Sequence, residues 1–244
     1  MSISERQKRI LGILNARNFI TVNELAEITF TSPSSIRRDL TAMQNVGLVK
    51  RSHGGVTLPD PIQGVASFYD RTHQNIQAKR FIAKKAATLL RDGLSIMLDS
   101  SSTAGFLLPY IAKLNYVTLF TNNISTALQS IEMGIHTHCL GGHSVNGSTA
   151  LAGTETYKAL TDIHVDILFF SSLSLDRHGW ISDPTEEENY VRHLMLQTAQ
   201  NKVFLCDSTK FDKSAVYKLA NLRDVDCAVF DEPFPALETS CKIL

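Results

Sequence analysis

Apolar residues recur along this chain with two different spacings, and the change from one to the other divides it. Over residues 5–16, Ile10, Ile13 and Leu14 fall on one face at helical spacing. Asn18-Phe19-Ile20 breaks the pattern, and Thr21-Val22-Asn23-Glu24 then reads as a capping box. In such a box the Thr21 hydroxyl accepts the Glu24 N–H while the Glu24 carboxylate accepts the Thr21 N–H. Leu25, Ala26 and Ile28 give the short helix that follows an apolar face. After Phe30-Thr31, Ser32-Pro33 is a second start signal, an N-cap with proline at the first helical position. Ile36, Leu40 and Met43 stand at i, i+4 and i+7, and Gly47 ends that helix. Residues 48–58 then read as a strand, a Gly54-Gly55 turn and a return strand.

Past the turn-rich stretch Pro59-Asp60-Pro61-Ile62-Gln63-Gly64 the pattern becomes an alternation of helices and short apolar runs. A helix is predicted over about 77–90, carried by Phe81, Ile82, Ala86 and Leu89. Strands are predicted at 95–98, 117–120, 136–140, 166–170, 202–206 and 227–230, with helices from the Ser100–Ser102 region to about 112 and from 124 to about 133. Strands that are apolar throughout and separated by helices make a mostly parallel sheet covered on both faces. The expected fold class is α/β: a small N-terminal winged helix-turn-helix over 1–58, a linker over 59–74, and an α/β effector-sensing domain over 75–244.

Two short helices joined by a tight turn, with a preceding helix to cover them, have the geometry that places a recognition helix in a DNA groove. The candidate DNA-contacting residues are Ser32, Ser34, Ser35, Arg37 and Arg38 on the second helix and Thr21 at the start of the first. Lys50, Arg51 and His53 join them from the wing. Arginine reads guanine or clamps phosphate, and serine contacts either. Charge agrees with this. Residues 1–58 carry eight Lys/Arg against four Asp/Glu, a net of +4, which leaves −4 on the rest of an overall neutral chain. Thr31-Ser32-Pro33-Ser34-Ser35-Ile36-Arg37-Arg38-Asp39-Leu40, followed by Lys50-Arg51-Ser52-His53-Gly54-Gly55, resembles the DeoR family of bacterial sugar-metabolism regulators, with Ser35 where threonine is usual. The resemblance implies a DNA-binding regulator, in most members a repressor.

In open α/β sheets, ligands bind beyond the carboxyl ends of the strands. Five of the predicted strands end in small or polar residues: Asp99-Ser100-Ser101-Ser102-Thr103, Thr121-Asn122-Asn123, Gly141-Gly142, Ser171-Ser172 and Asp207-Ser208-Thr209-Lys210. Hydroxyls opening a helix suit a phosphate group, and Lys210 adds a cationic donor. Glu188 is a candidate acceptor for ligand hydroxyls. These segments, with Leu151-Ala152-Gly153, also resemble the DeoR-family sensor, which is similar to sugar-phosphate isomerases and implies a phosphorylated sugar as effector. Two positions depart from the family pattern. Ser101 replaces the glycine of "D-S-G-T-T", and Arg192 replaces the lysine of "E-x-x-x-K-R" in Glu188-Asn189-Tyr190-Val191-Arg192-His193. Arg192 is carried among the effector-site candidates on that resemblance.

The remaining features narrow the picture. The four cysteines are dispersed, with no C-x-x-C, as expected for reduced thiols rather than a disulfide framework. No signal-peptide core and no long apolar run is present, so a cytoplasmic protein is expected. His136, His138, Cys139 and His143 cluster in sequence, but partly exposed strand histidines account for them better than a metal site, and no cofactor is expected. The expected partners are operator DNA, a phosphorylated sugar or related effector, and further copies of the chain, which pair recognition helices on half-sites. Two other readings stay open: a sugar-phosphate isomerase fused to a DNA-binding head, with Asp99, Glu187 or Glu188 as its base, and a regulator whose sensor no longer binds a ligand.

Overall fold

The computed structural model describes residues 4–17, 19–45, 48–52, 55–58, 68–145 and 148–244. Gly47, His53, Gly54 and the stretch 59–67 expected as linker lie outside the described residues. The chain divides into two compact units, Met1–Tyr69 and Asp70–Leu244.

In the first unit, α1 (Glu5–Arg17), α2 (Val22–Thr29) and α3 (Pro33–Asn45) pack around Ile10, Leu14, Leu25, Ile36, Leu40 and Met43. The capping box at the head of α2 is formed: Glu24 N–H donates to the Thr21 hydroxyl at 3.2 Å and Thr21 N–H to the Glu24 carboxylate at 2.8 Å. The Arg6 Nε–Asp39 ion pair joins α1 to α3. The wing strands β2 (Lys50–Ser52) and β3 (Gly55–Thr57) are antiparallel. A third strand, β1 (Phe19–Ile20), pairs with β3 in the stretch that reads in the sequence only as a break. Gly55 permits that pairing, because a Cβ there would lie 2.3 Å from the Phe19 ring and 2.8 Å from the Ile20 carbonyl oxygen.

Part of the expected linker is helical, as α4 (Phe68–His73). The rest of the second unit follows in order: α5 (Ile76–Ala86), β4 (Ser95–Leu98), α6 (Ser102–Gly105), α7 (Leu108–Ile111), β5 (Thr118–Thr121), α8 (Ile124–Glu132) and β6 (His136–Cys139). Next come β7 (His143–Ser144), β8 (Leu151–Ala152), α9 (Thr154–Thr161), β9 (Val165–Phe170), β10 (Ser174–Leu175), β11 (Trp180–Asp183) and α10 (Glu186–Thr198). The chain ends with β12 (Ala199–Cys206), β13 (Tyr217–Asn221), β14 (Cys227–Phe230) and β15 (Lys242–Ile243).

Seven strands form one parallel sheet in the order β15-β14-β12-β9-β4-β5-β6. All six predicted strands are in it. Alternate side chains point to opposite faces. Met97, Leu168, Phe170 and Phe204 face α9 and α10, packing with Leu160, Val191 and Met195. Ile96, Leu98, Phe169, Val203 and Val229 face α5, α6 and α7, packing with Ile82, Ala86, Leu107 and Ile111. The chain runs outward from β4 through β5 to β6, then returns to β9 and runs outward the other way. The strand order therefore reverses between β4 and β9, where such sheets open a crevice at their carboxyl ends.

The single helix expected up to residue 112 is broken into α6 and α7. Pro109 has no N–H for the carbonyl four residues back, and Phe106 and Leu107 bond only three residues back, to Thr103 and Ala104. Two small antiparallel additions, the β7–β8 pair and the sheet β10-β11-β13, were not legible as strands; most of their members are two residues long.

Phe169 is fully buried in the central strand of the sheet. Phe169→Ala is expected to cost about 3–5 kcal/mol, read as a lower urea midpoint of the full chain. A loss below about 1 kcal/mol would mean that this layer repacks and is not the rigid base assumed for the site above it.

Candidate functional site

Helix α3 buries Ile36, Leu40 and Met43, so its opposite face is outward. Ser32, Ser34, Arg37 and Arg38 are exposed there, with Ser35 half-buried beside them. Ser32 Oγ accepts the Ser35 N–H at 3.3 Å and lies 3.0 Å from the hydroxyls of Ser34 and Ser35, fixing the helix start. Lys50 and Arg51 are exposed on β2, and Arg51 Nη1 donates to Thr41 Oγ1 of α3 at 3.3 Å, holding wing and helix together. Thr21 is different. Its hydroxyl is used inside the capping box, donating to Glu24 at 2.7 Å, so it sets the entry of α2 rather than offering a free contact. His53 is among the residues not described.

In the second unit the strand-end residues converge where the strand order reverses. Asp99, directly after β4, is fully buried. One carboxylate oxygen accepts the Ser101 N–H at 3.1 Å and the Ser101 hydroxyl. The other accepts the Ser171 N–H, from the end of β9, at 3.2 Å and Arg192 Nε at 2.9 Å. Arg192, on α10, also places Nη1 3.1 Å from Asp183 and Nη2 2.9 Å from Glu188. Burial alone would depress this guanidinium, but Asp183, Asp99 and Glu188 together outweigh it and raise its pKa. Burial pushes the Asp183 carboxyl up, against the pull of Arg192. A planar guanidinium spreads these contacts over three nitrogens in a rigid fork, whereas a lysine ammonium would have to make them all from one. Arg192 was expected to meet the ligand; its three nitrogens are instead held by the protein's own carboxylates.

Beside this bracket lies a group of cations and hydroxyls. Lys79 of α5 is 3% exposed, donates to the Ser102 hydroxyl at 3.1 Å, and also bonds the Arg71 carbonyl. Burial and the neighbouring Lys210 lower its pKa to about 8. Lys210 donates to the Ser171 hydroxyl at 2.8 Å and stands 3.4 Å from Asp207. Asp207 also accepts Asn75 Nδ2 at 3.1 Å; burial would raise its carboxyl, but Lys210 and its other donors hold it below the usual range. Lys79, Arg71, Asn75 and Asp183 were missed in the sequence. Lys79 had a signal, since it shares the apolar face of its helix with Ile82, Ala83 and Ala86.

Several expected contacts are spent locally. Ser101 sits at φ −77°, ψ 144°, an ordinary extended conformation, and its hydroxyl accepts the Ala104 N–H, so glycine is not required there. The α6 helix it caps is a single turn, which leaves little dipole for a phosphate and puts the weight on side-chain donors. Ser100 C=O accepts Asn123 Nδ2 at 3.2 Å, and Asn123 Oδ1 caps α8 through Thr126 N–H at 3.0 Å. The Thr121 hydroxyl accepts Asn123 N–H at 3.2 Å, and Thr103 is buried in α6. Ser172 donates to the Ser174 carbonyl at 3.0 Å. The Gly141 carbonyl accepts the Thr156 hydroxyl. Gly142, at φ +120°, is fixed by packing, because a Cβ would lie 2.3 Å from the Ala152 carbonyl oxygen. Asn122 keeps one open group: Nδ2 donates to Leu151 C=O at 2.9 Å, while Oδ1 is buried without a partner. Among the described residues no group of three or more His, Cys, Asp or Glu side chains is placed to hold a metal ion, and no helix is long and apolar enough to cross a membrane.

A DNA-reading head followed by a parallel α/β unit with a polar cluster at its switch point defines a transcription regulator with a sensor. Residues 6–61 match the DeoR-like helix-turn-helix domain and residues 74–232 the DeoR C terminal sensor domain, and the chain belongs to the DeoR family of transcriptional regulators. It is 31% identical over 228 residues to the HTH-type transcriptional regulator GolR of Listeria innocua, spanning 93% of this chain and 90% of that protein. It is 29% identical over 237 residues to the putative aga operon transcriptional repressor of Escherichia coli O157:H7, spanning 96% and 88%. Among solved structures, a D-ribose-5-phosphate isomerase in complex with phospho-erythronic acid aligns over 56% of this chain and 55% of that one, at 14% identity and a TM-score of 0.43.

The bracket sets a stability prediction. Arg192→Met leaves two buried carboxylates, Asp99 and Asp183, and the half-buried Glu188 without their cation and is expected to cost about 3–5 kcal/mol, measured by urea unfolding. Arg192→Lys is expected to recover only part. A fully stable methionine variant would show that the carboxylates are protonated and not ion-paired.

Proposed function

We propose that this protein represses carbohydrate-metabolism genes and leaves its operator when a phosphorylated sugar binds at the switch point of the sensor unit. The observation that carries the reading is the juxtaposition of Lys79, Lys210, Ser102 and Ser171 with the bracketed carboxylates Asp99, Asp183 and Glu188. The lysines and hydroxyls suit a phosphate; Glu188, held by Arg192 through one oxygen and not fully buried, suits a sugar hydroxyl. Asn122 Oδ1 is one more acceptor. The reading is binding, not catalysis: Asp99 and Glu188 are engaged by Arg192, and Glu187 is exposed with His143 3.4 Å away. The protein acts in the cytoplasm as an oligomer that sets two heads on operator half-sites. Ligand shifts the population toward a state that no longer fits them, which requires tighter binding to that state.

The test is a thermal-shift panel of sugar phosphates on the full chain, followed by operator titration with each hit, since a ligand of the folded state raises the melting temperature. A hit that weakens operator binding supports the reading; a flat panel overturns it. Turnover of pentose phosphates would favour the isomerase reading instead.

Arg37→Ala and Arg38→Ala are each expected to weaken operator binding by about 1–3 kcal/mol and to leave the thermal shift by the ligand intact. Unchanged operator affinity in both would move recognition off α3.

The Lys79 pKa is lowered from 10.5 to about 8, by burial first and the neighbouring Lys210 second. The protonated form is the one that holds an anion, so ligand affinity should fall as pH rises through about 8. Phosphate is already a dianion above a pKa of about 6 and does not mask the effect. Folding runs the other way, because between about 8 and 10.5 the unfolded chain binds the extra proton and stability rises with pH. Lys79→Met should flatten the affinity profile. The same slope in that variant would assign the titration to another group.

A further inference from the structure

Helix α8 carries its large apolar residues outward. Its inner face buries Thr126, Ala127 and Ser130, and the Ser130 hydroxyl lies 2.9 Å from the Thr137 hydroxyl of β6, which fastens helix to strand. Ile124, Leu128 and Ile131 stand at i, i+4 and i+7 and form one stripe, 48%, 58% and 59% exposed. Met133, just past the helix, is exposed as well. A surface helix of a lone globular unit has the opposite arrangement, with large apolar residues in and polar residues out.

The strand beneath this helix is equally unguarded. β6 ends the seven-stranded sheet. It follows β5 through four consecutive pairs, from Thr118 with His136 to Thr121 with Cys139, without a bulge. The outer row of N–H and C=O groups on an edge strand is a template for another strand, and proteins blunt it with lysine, proline, a bulge or a very short strand. β6 uses none of these, whereas β15 at the other edge is two residues long and carries Lys242. On the face of β6 away from Thr137, His136 and His138 are exposed, and His138 stacks on Phe120 at 4.8 Å.

Charge selects the partner. From Leu114 to Thr154 the chain carries a single Asp, Glu, Lys or Arg, which is Glu132, although 20% of the whole chain is charged. Depletion of charge is what distinguishes the core of an interface from ordinary surface. An acidic or basic partner would find no opposite charges to meet. A second copy of the same surface brings almost no like charge to repel the first. A strand edge also complements itself, because a two-fold axis perpendicular to the sheet sets the two copies of the strand antiparallel. The apolar stripe alone offers on the order of a few hundred Å², the size at which such patches mark interaction sites. The strand edge beside it extends the surface toward the roughly 800 Å² per partner of a stable interface.

We propose that α8 and β6 form the self-association surface of the sensor unit. Two copies meet about a two-fold axis, β6 pairs antiparallel with β6 of the second copy, and the apolar stripes of the two α8 helices pack together on one side of the joined sheet. This rests on the reading of the protein as an oligomer and goes beyond it by assigning the face.

The experiment uses the full chain as wild type, Leu128→Lys and Ile131→Lys, with Val216→Lys at a residue 80% exposed before β13 as control. Sedimentation velocity over a range of protein concentrations gives the association state. Each α8 variant is expected to weaken self-association by about tenfold or more, as truncation at an interface core does. Val216→Lys should match wild type, and all three should keep the wild-type melting temperature when compared as dilute monomers. Amide hydrogen exchange on the wild type supplies a reading that needs no variant: β6 amides should be protected in the associated form and lose that protection on dilution. Association of both α8 variants at wild-type strength overturns the assignment of the face and leaves the oligomer reading standing. Exchange in β6 that is the same at high and low concentration overturns the strand pairing. A wild type that stays monomeric at every concentration overturns the oligomer reading itself, a separate result.

Discussion

The buried pair between Asp99 and Arg192 is the constraint on which the sensor depends. Asp99 ends β4 and receives the Ser171 N–H from the end of β9, so its carboxylate spans the point where the sheet changes direction. An isolated carboxylate there would be costly to desolvate. It is tolerated because every lone-pair direction is met by Ser101, Ser171 or Arg192. Arg192 in turn is tolerated because Asp183 and Glu188 complete its fork. Removing one member exposes the others, so the cluster behaves as one unit. A buried ion pair is poor evidence for stability in itself, since apolar replacements often do as well. Its use here is to hold Glu188, the partly exposed member, in a fixed position through one oxygen.

That arrangement separates two kinds of work at one sheet edge. Arg192 is committed to the protein. Lys79 is held by a hydroxyl and a carbonyl, and Lys210 by a hydroxyl with the Asp207 carboxylate 3.4 Å away. The depressed pKa of Lys79 fits the same account: burial and the neighbouring Lys210 both disfavour its charged form, which an anion would favour.

Much of this was readable from the sequence, and the unread part has a common cause. The capping box, the Ser-Pro helix start and the six core strands follow from local spacing, and five of those strands end in small or polar residues. The switch point was not readable, because β9 pairs with β4 and not with β6, a choice of neighbour that no local pattern records. Arg192 was picked out by resemblance, but its role depends on Asp183 nine residues back and Asp99 ninety-three back. Asn75 meets Asp207 across 132 residues. Ser101 departs from the family pattern where glycine is usual; its backbone angles show that glycine's freedom is not used there. Lys79 alone offered a local clue, a charge on an apolar helix face.

The distance between the site's members along the chain bears on the order in which the protein is made. The head closes on contacts within its first sixty-odd residues, whereas the sensor's bracket draws on residues from Asp99 to Arg192. Domains emerging from the ribosome fold as units, amino-terminal first. A nascent or prematurely ended chain would therefore carry a finished DNA-reading head long before it carries anything able to answer a metabolite, so truncation removes the response before it removes the reader.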